Sequence, residues 1–312
     1  MLHNLTPTVT LTLLGIVALL VTSTLTVSVI VRLNPHVDFD ELKLRTRTWW
    51  VMVTVMLLAT VAGKVVSLLF LGFVSYLALK EYLSLIPTRR SDRAILILAY
   101  AAIPIQTYLA ASGQADLLPV FVPLYVLIFM STTMVLKSPT HGFLHAAGTV
   151  HFGLMLTLFG FGFVSCLIIL PDSGNPVGGA TGLVVYLVFL VQFNDVVQYV
   201  AGKAVGRHRL IPDVSPNKTW EGLLGGFLTT AVLAVLLAPL LTPFGRAEAM
   251  VAGALIAVGG FAGDATVSAI KRDIGVGDTG TLLPGHGGVL DRVDSLIFAA
   301  PLFYYYVHRL YF

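Results

Sequence analysis

Ser268, Lys271 and Arg272 close an apolar, helix-like run, and a glycine-rich loop then leads to His286, Gly287, Gly288, Asp291, Arg292 and Asp294. Acids that suit a hard cation and bases that suit phosphate oxygens stand beside glycines that let backbone approach a ligand. Such a mixture fits a magnesium–phosphate site at the edge of a bilayer. It stands out because only 11% of the residues are charged while 56% are hydrophobic.

Further polar constellations interrupt the apolar background. Asp264, Ser268 and Lys271 recur at i, i+4 and i+7, so they form one helical stripe with the carboxylate deeper in the membrane than the lysine. Lys271 and Arg272 alone would read as an ordinary basic flank, but an acid inside a span is costly and points to function. Asn194, Asp195 and Gln198 share a helix face, as lining of a polar cavity or as a clamp between helices. The segment Ser215-Pro-Asn-Lys218-Thr219-Trp220-Glu221-Gly222 begins another helix. It is either an interfacial anchor or an anion site, with a cation and a hydroxyl at a helix N-terminus. His286 is open to two readings, a phosphate contact or a cap for its turn, whereas zinc lacks partners at ligand spacing. No phosphate-loop motif G-x-x-x-x-G-K-[ST] and no persuasive Ser-His-Asp arrangement occurs.

These residues need a membrane scaffold to position them. The mean hydropathy is +0.88, and apolar runs near the ~20 residues needed to cross hydrocarbon recur along the 312-residue chain. Helices are expected near 9–31, 49–63, 65–86, 93–112, 117–136, 146–170, 179–202, 221–243, 248–272 and 293–311. The first reads as a retained helix, because no basic segment precedes it and no cleavage site follows. The stretch 49–86 is broken only at Gly63-Lys64 and reads as two spans or a re-entrant hairpin. Basic residues fall in alternate loops, at 32–48, 89–93, 137, 203–218 and 271–272, while the loops near 112–116 and 171–178 contain none. The positive-inside rule then makes the basic loops cytoplasmic and both termini external, with Arg246 and Arg309 as exceptions. The expectation is one all-α polytopic membrane domain, 1–312, of nine or ten spans with a cytoplasm-facing polar cavity. Its N-terminal helical region is 1–178 and its catalytic region 179–312. The net charge of +3 does not imply nucleic acid, and a single cysteine, Cys166, excludes an internal disulfide.

Residues 190–295 resemble the phosphatidate cytidylyltransferases, also called CDP-diacylglycerol synthases. That family's signature runs S-x-x-K-R, four residues, K-D, then into H-G-G-x-x-D-R-x-D. This chain supplies Ser268, Lys271, Arg272, Asp278, Pro284, His286, Gly287, Gly288, Asp291, Arg292 and Asp294 in register. Its Ser215–Gly222 segment matches S-P-x-K-T-W-E-G, and Asn194-Asp195 with Tyr199 and Gly202-Lys203 is similar to a third motif. The resemblance implies transfer of a cytidylyl group from CTP to phosphatidate, giving CDP-diacylglycerol and pyrophosphate. It implies catalytic roles for Asp264, Lys271, Arg272 and Asp291. Asp264 and Asp291 would hold Mg2+, as one cation or a pair. Substrate contacts fall to Asn194, Asp195, Ser215, Lys218, Thr219, Glu221, Ser268, His286, Gly287, Gly288, Arg292 and Asp294. Expected partners are CTP, phosphatidate or a related phosphorylated lipid, membrane lipids and a second copy of the chain, in a bacterial inner membrane. Two departures mark the chain as a divergent branch. Gly277 replaces the signature lysine, and Gln198 stands where alanine is usual. A glycine-rich turn at 275–280 would be crowded by a lysine at 277. A CTP-dependent lipid kinase and an ion or solute transporter are the competing readings.

Overall fold

The computed structural model describes residues 6–34, 36, 39–87, 89, 92–137, 140–282 and 287–312. Long helices follow one another through the chain: α1 Pro7–Leu33, α2 Asp40–Val61, α3 Lys64–Leu85, α4 Arg93–Ala111, α5 Leu118–Lys137, α6 Phe143–Ile169, α7 Gly179–Val205, α8 Trp220–Leu241, α9 Arg246–Ile274 and α10 Leu290–Tyr311. All except α2 and α10 are long and apolar enough to cross a membrane. The chain is an all-α polytopic membrane protein.

Local chemistry sets several boundaries. Thr6 accepts the Val9 N–H at 3.4 Å and Pro7 opens α1, a pairing that supplies one missing acceptor and wastes no donor. Gly63 separates α2 from α3 with a φ of 101°, which a side chain would resist. Ser67 fixes that break by donating to the Ala59 carbonyl at 2.8 Å. The stretch 49–86 is therefore parts of two helices. At 22 residues α3 extends about 33 Å.

Three boundaries differ from the sequence expectation. Helix α2 begins at Asp40, so much of the expected 32–48 loop is helical. Its first turns are charged, with Asp40 and Lys43 paired at 2.9 Å, and hydropathy does not register such a helix. The expected 203–220 loop contains an antiparallel hairpin, β1 Arg209–Ile211 and β2 Ser215–Thr219. Its strands are short and polar, without the alternation that reveals a strand in sequence. Helix α10 begins at Leu290 rather than near 293, so Asp291 and Arg292 lie within its first turn instead of ahead of it.

Helices α7 to α10 pack most closely. Association within lipid depends on close backbone approach, because apolar side chains gain little by leaving lipid for protein. Gly253 lies against Ala231 and Ala234 of α8, and a Cβ on Gly263 would overlap the Asp294 carbonyl of α10. The buried Tyr186 adds an anchor by donating to the Ala234 carbonyl at 3.0 Å.

Contacts at the helix ends agree with alternating crossings. Thr8 donates to the Val177 carbonyl, Lys64 pairs with Asp172 at 3.6 Å, Asn175 donates to the Leu241 carbonyl and Tyr311 to the Pro243 carbonyl. At the other end Arg89 meets the His141 carbonyl, Glu81 meets Val289 and Arg272 meets Val214.

Candidate active site

The β hairpin delivers Lys218 to α9. Lys218 Nζ lies 2.5 Å from Asp264 Oδ2 and 4.8 Å from the centre of the Phe261 ring, one helical turn away. Ser268, one turn further on, donates to Asp264 Oδ1 at 3.1 Å. Glu221 keeps the hairpin in place: its carboxylate accepts the Arg207 and His208 N–H groups at 3.1 and 3.2 Å and lies 2.6 Å from His208 Nδ1. Thr219 caps α8 by accepting the Gly222 N–H at 3.1 Å. Arg272 ties the hairpin turn to α9, donating through Nε to the Val214 carbonyl at 3.1 Å. Lys218 thus reaches the cavity, while Glu221 and Arg272 hold the strands that carry it.

A second lysine–carboxylate pair lies where α9 meets α10. Lys271 Nζ is 2.8 Å from Asp291 Oδ1. Asp291 Oδ2 accepts the Thr279 N–H and hydroxyl, each at 2.9 Å, and the Gly288 N–H at 3.0 Å. Asp291 is only 5% exposed, and these donors fill the acceptor sites of a carboxylate. The stripe Asp264, Ser268 and Lys271 does share one side of α9, yet it serves two separate clusters, each neutralised by its own lysine.

Asp195 and Asp294 join Asp264 in a third grouping. Ser295 donates to Asp195 Oδ2 at 2.8 Å and stands 3.4 Å from Asp294 Oδ1. The charges of Asp195, Asp264 and Asp294 bear on one another, with Lys218 and Arg292 as nearby counter-cations. Asn194 is fully buried and its Oδ1 accepts from Thr230 at 3.3 Å. Among the described residues its Nδ2, the Gln198 Nε2 and the Arg292 Nε have no partner. A cavity of about 180 Å³ opens among Asp195, Gln198, Ser215, Asn217, Lys218, Thr219 and Asp264. That is below the ~300 Å³ of typical small-molecule pockets. A larger cavity of about 580 Å³ runs from Lys64 and Asp172 past Phe70, Val164 and Val184 to Val293 and Leu296. Its inner wall therefore flanks Asp294 in the sequence of α10.

The paired glycines before α10 have a steric reason. Gly287 adopts a φ of 80°, and a Cβ there would stand 2.7 Å from Asp291 Oδ2. A Cβ on Gly288 would collide with Glu81 Oε2 and Thr279 Oγ1. Gly277 is different, with neither a positive φ nor any described atom within 4 Å of an added Cβ. The expected crowding of a lysine at 277 does not come from any of the described residues. His286 and Pro284 lie outside the described residues.

Among the described residues no three acidic, histidine or cysteine side chains converge to hold a metal by themselves. Magnesium commonly takes one or two carboxylates and completes its shell with water and substrate phosphates. The side chain of Asp264 is 28% exposed and lines the cavity beside Asp195, so it fits that requirement. Asp291, saturated and buried, fits it only if Lys271 or the loop lets go.

Sequence reasoning passed over Glu81, Thr279, Ser295 and Phe261. Glu81 left one signal: apart from Lys64 and Lys80 it is the only charged residue of α3. Ser295 and Phe261 carry no such mark, because their roles depend on which helices lie opposite them.

The model of the Cytidylyltransferase family matches residues 43–310. The protein YnbB of Escherichia coli K12, described as uncharacterized, is 41% identical over 290 residues, covering 93% of this chain and 95% of YnbB. A phosphatidate cytidylyltransferase of Brucella abortus is 40% identical over 147 residues, 47% of this chain and 54% of that protein. One from Synechocystis is 42% identical over 159 residues, 50% of this chain and 51% of its own length. The chain thus matches about half the length of these relatives that carry the phosphatidate cytidylyltransferase name.

Proposed function

Since this chain belongs to the cytidylyltransferase family and is a nucleotidyltransferase, we propose that it makes CDP-diacylglycerol from CTP and phosphatidate at the cytoplasmic face of a bacterial inner membrane. A phosphate oxygen of the lipid attacks the α-phosphorus of CTP, the bond from that phosphorus to the bridging oxygen breaks, and pyrophosphate leaves. Both reactants are already anionic near neutral pH, so the protein's task is positioning and charge neutralisation.

The observation that carries this reading is the meeting of Lys218 with Asp264 beside Asp195 in one polar cavity. It unites three motifs that are separate in the sequence and puts a cation and hard oxygen donors at one point. Lys218 and Arg292 would hold phosphate oxygens, and Ser215 and Thr219 would add hydroxyls at the cavity wall. Lys271 would serve the neighbouring phosphate once it exchanges Asp291 for it. Asp264, with Asp195 beside it on the cavity wall, would hold a divalent cation such as Mg2+, with water and substrate phosphates completing its shell. When bound, that cation would neutralise phosphate charge as the leaving group departs. The larger cavity among α2, α3, α6, α7 and α10, which reaches Val293 and Leu296, would give a lipid chain a place within the helical bundle. A diacyl substrate requires such access from the bilayer, as each CH2 drawn into water costs about 0.8 kcal/mol.

Purified protein, α-labelled CTP, magnesium and a panel of lipids test the reading. Labelled CDP-diacylglycerol with release of pyrophosphate is the expected result. CDP with a newly phosphorylated lipid would identify a kinase, and solute flux without nucleotide turnover a transporter.

A further inference from the structure

Glu81 lies on α3, far in sequence from every motif discussed above, yet its carboxylate faces the junction that leads into α10. Oε1 accepts the Val289 N–H at 2.9 Å and Oε2 accepts the Leu290 N–H at 2.8 Å. Oε2 is also 3.4 Å from the Thr279 hydroxyl, which itself donates to Asp291 at 2.9 Å. Helix α10 has no side-chain cap from its own N-cap residue. The first amides of a helix need acceptors, and here another helix provides the carboxylate.

We propose that Glu81 is a positioning residue for the Asp291–Lys271 pair. It touches neither substrate nor reacting atoms in the proposed reaction. It instead ties together the two ends of the glycine loop that leads into Asp291: the Thr279 hydroxyl before the loop and the Val289 and Leu290 N–H groups after it. Gly288 reinforces the clamp, since any side chain there would strike both Glu81 and Thr279. Asp291 then has one orientation in which Gly288, Thr279 and Lys271 all reach it. Without the clamp the loop can move, and Lys271 loses its fixed point. Small displacements of such groups can reduce turnover about 100-fold.

The catalytic half of this inference rests on the cytidylyltransferase reading, whereas the structural half does not. Glu81→Gln preserves size but replaces an acceptor with an amide NH2 that cannot accept the second N–H. Hydrogen exchange in the full-length protein should show peptides containing Val289 and Leu290 exchanging at least about 10-fold faster, with the remaining helices unchanged. Turnover of CTP with phosphatidate should fall at least about 10-fold in kcat with less than about a twofold change in KM for CTP. Glu81→Asp, which keeps the charge, should recover part of both and serves as the measured variant if the glutamine protein does not fold. Unchanged exchange at 289–290 overturns the clamp. Faster exchange with unchanged kcat overturns the positioning role. Loss of kcat with faster exchange everywhere reveals only a structural role and also overturns it. A wild-type protein inactive on phosphatidate, yet showing the local exchange response to Glu81→Gln, retires the proposed substrate and leaves the clamp standing.

Discussion

Lys218 of β2 and Asp264 of α9 meet at 2.5 Å with side chains 18% and 28% exposed. The strand that brings the lysine is fixed by Glu221 and Arg272, and the helix that brings the aspartate is packed through Gly263 onto α10. In the proposed reaction the pair would open for a phosphate and a cation. A free lysine would be more mobile, and Asp264 without it would lose its paired cation beside Asp195 and Asp294.

Asp264→Asn should therefore reduce magnesium-dependent turnover by at least about 100-fold while leaving thermal stability nearly unchanged, because the amide keeps the shape and Ser268 retains a partner. Initial rates over a magnesium titration, with a melting curve of the same sample, check this. Turnover near that of the wild type removes Asp264 from the proposed cation site.

Asp291→Asn should behave differently. It breaks a buried ion pair and leaves Lys271 uncompensated in a site where the lysine side chain is only 12% exposed. Such losses cost about 3 kcal/mol. The variant should lose both turnover and stability, and Lys271→Met with Asp291→Asn should recover part of the stability without activity. Equal melting temperatures for the three proteins would contradict the account of Asp291 as a loop anchor.

The two glycines at 277 and 288 make a contrast. Gly288→Ala pushes into Glu81 and Thr279 and should abolish most activity. Gly277→Lys meets none of the described residues and has no positive φ to overcome, so it should fold normally. If a lysine at 277 is a phosphate contact, the variant should turn over phosphatidate faster without changing the ranking of lipids. A changed ranking would show instead that this position selects the acceptor.

Topology can be read by labelling single cysteines in a Cys166→Ser background, since Cys166 is itself buried. Cysteines at His208 and Asp278 should react from the cytoplasmic face and one at Ser173 from outside. Labelling of His208 and Asp278 from opposite faces would break the composite site.

The sequence alone determined the membrane scaffold. Runs of apolar residues must be helical in lipid because no water is present to satisfy the backbone. The same logic exposed Asp195 and Asp264, whose charge is conspicuous in such runs, and the ordered motifs around Lys218 and Asp291 exposed the chemistry. Tertiary structure decided how those motifs divide. Asp264 and Asp291 look alike in sequence, but one lines a cavity and the other is consumed by a loop. Lys218 and Lys271 could have paired with any acid, and Glu221 and Arg272 could have faced substrate instead of backbone. Glu81 could not be placed, because its partners lie on a helix and loop that only folding brings to α3. Helical periodicity reveals which residues share a face. Which face lies opposite depends on glycine contacts and hydrogen bonds between distant segments, and no local pattern in the chain records them.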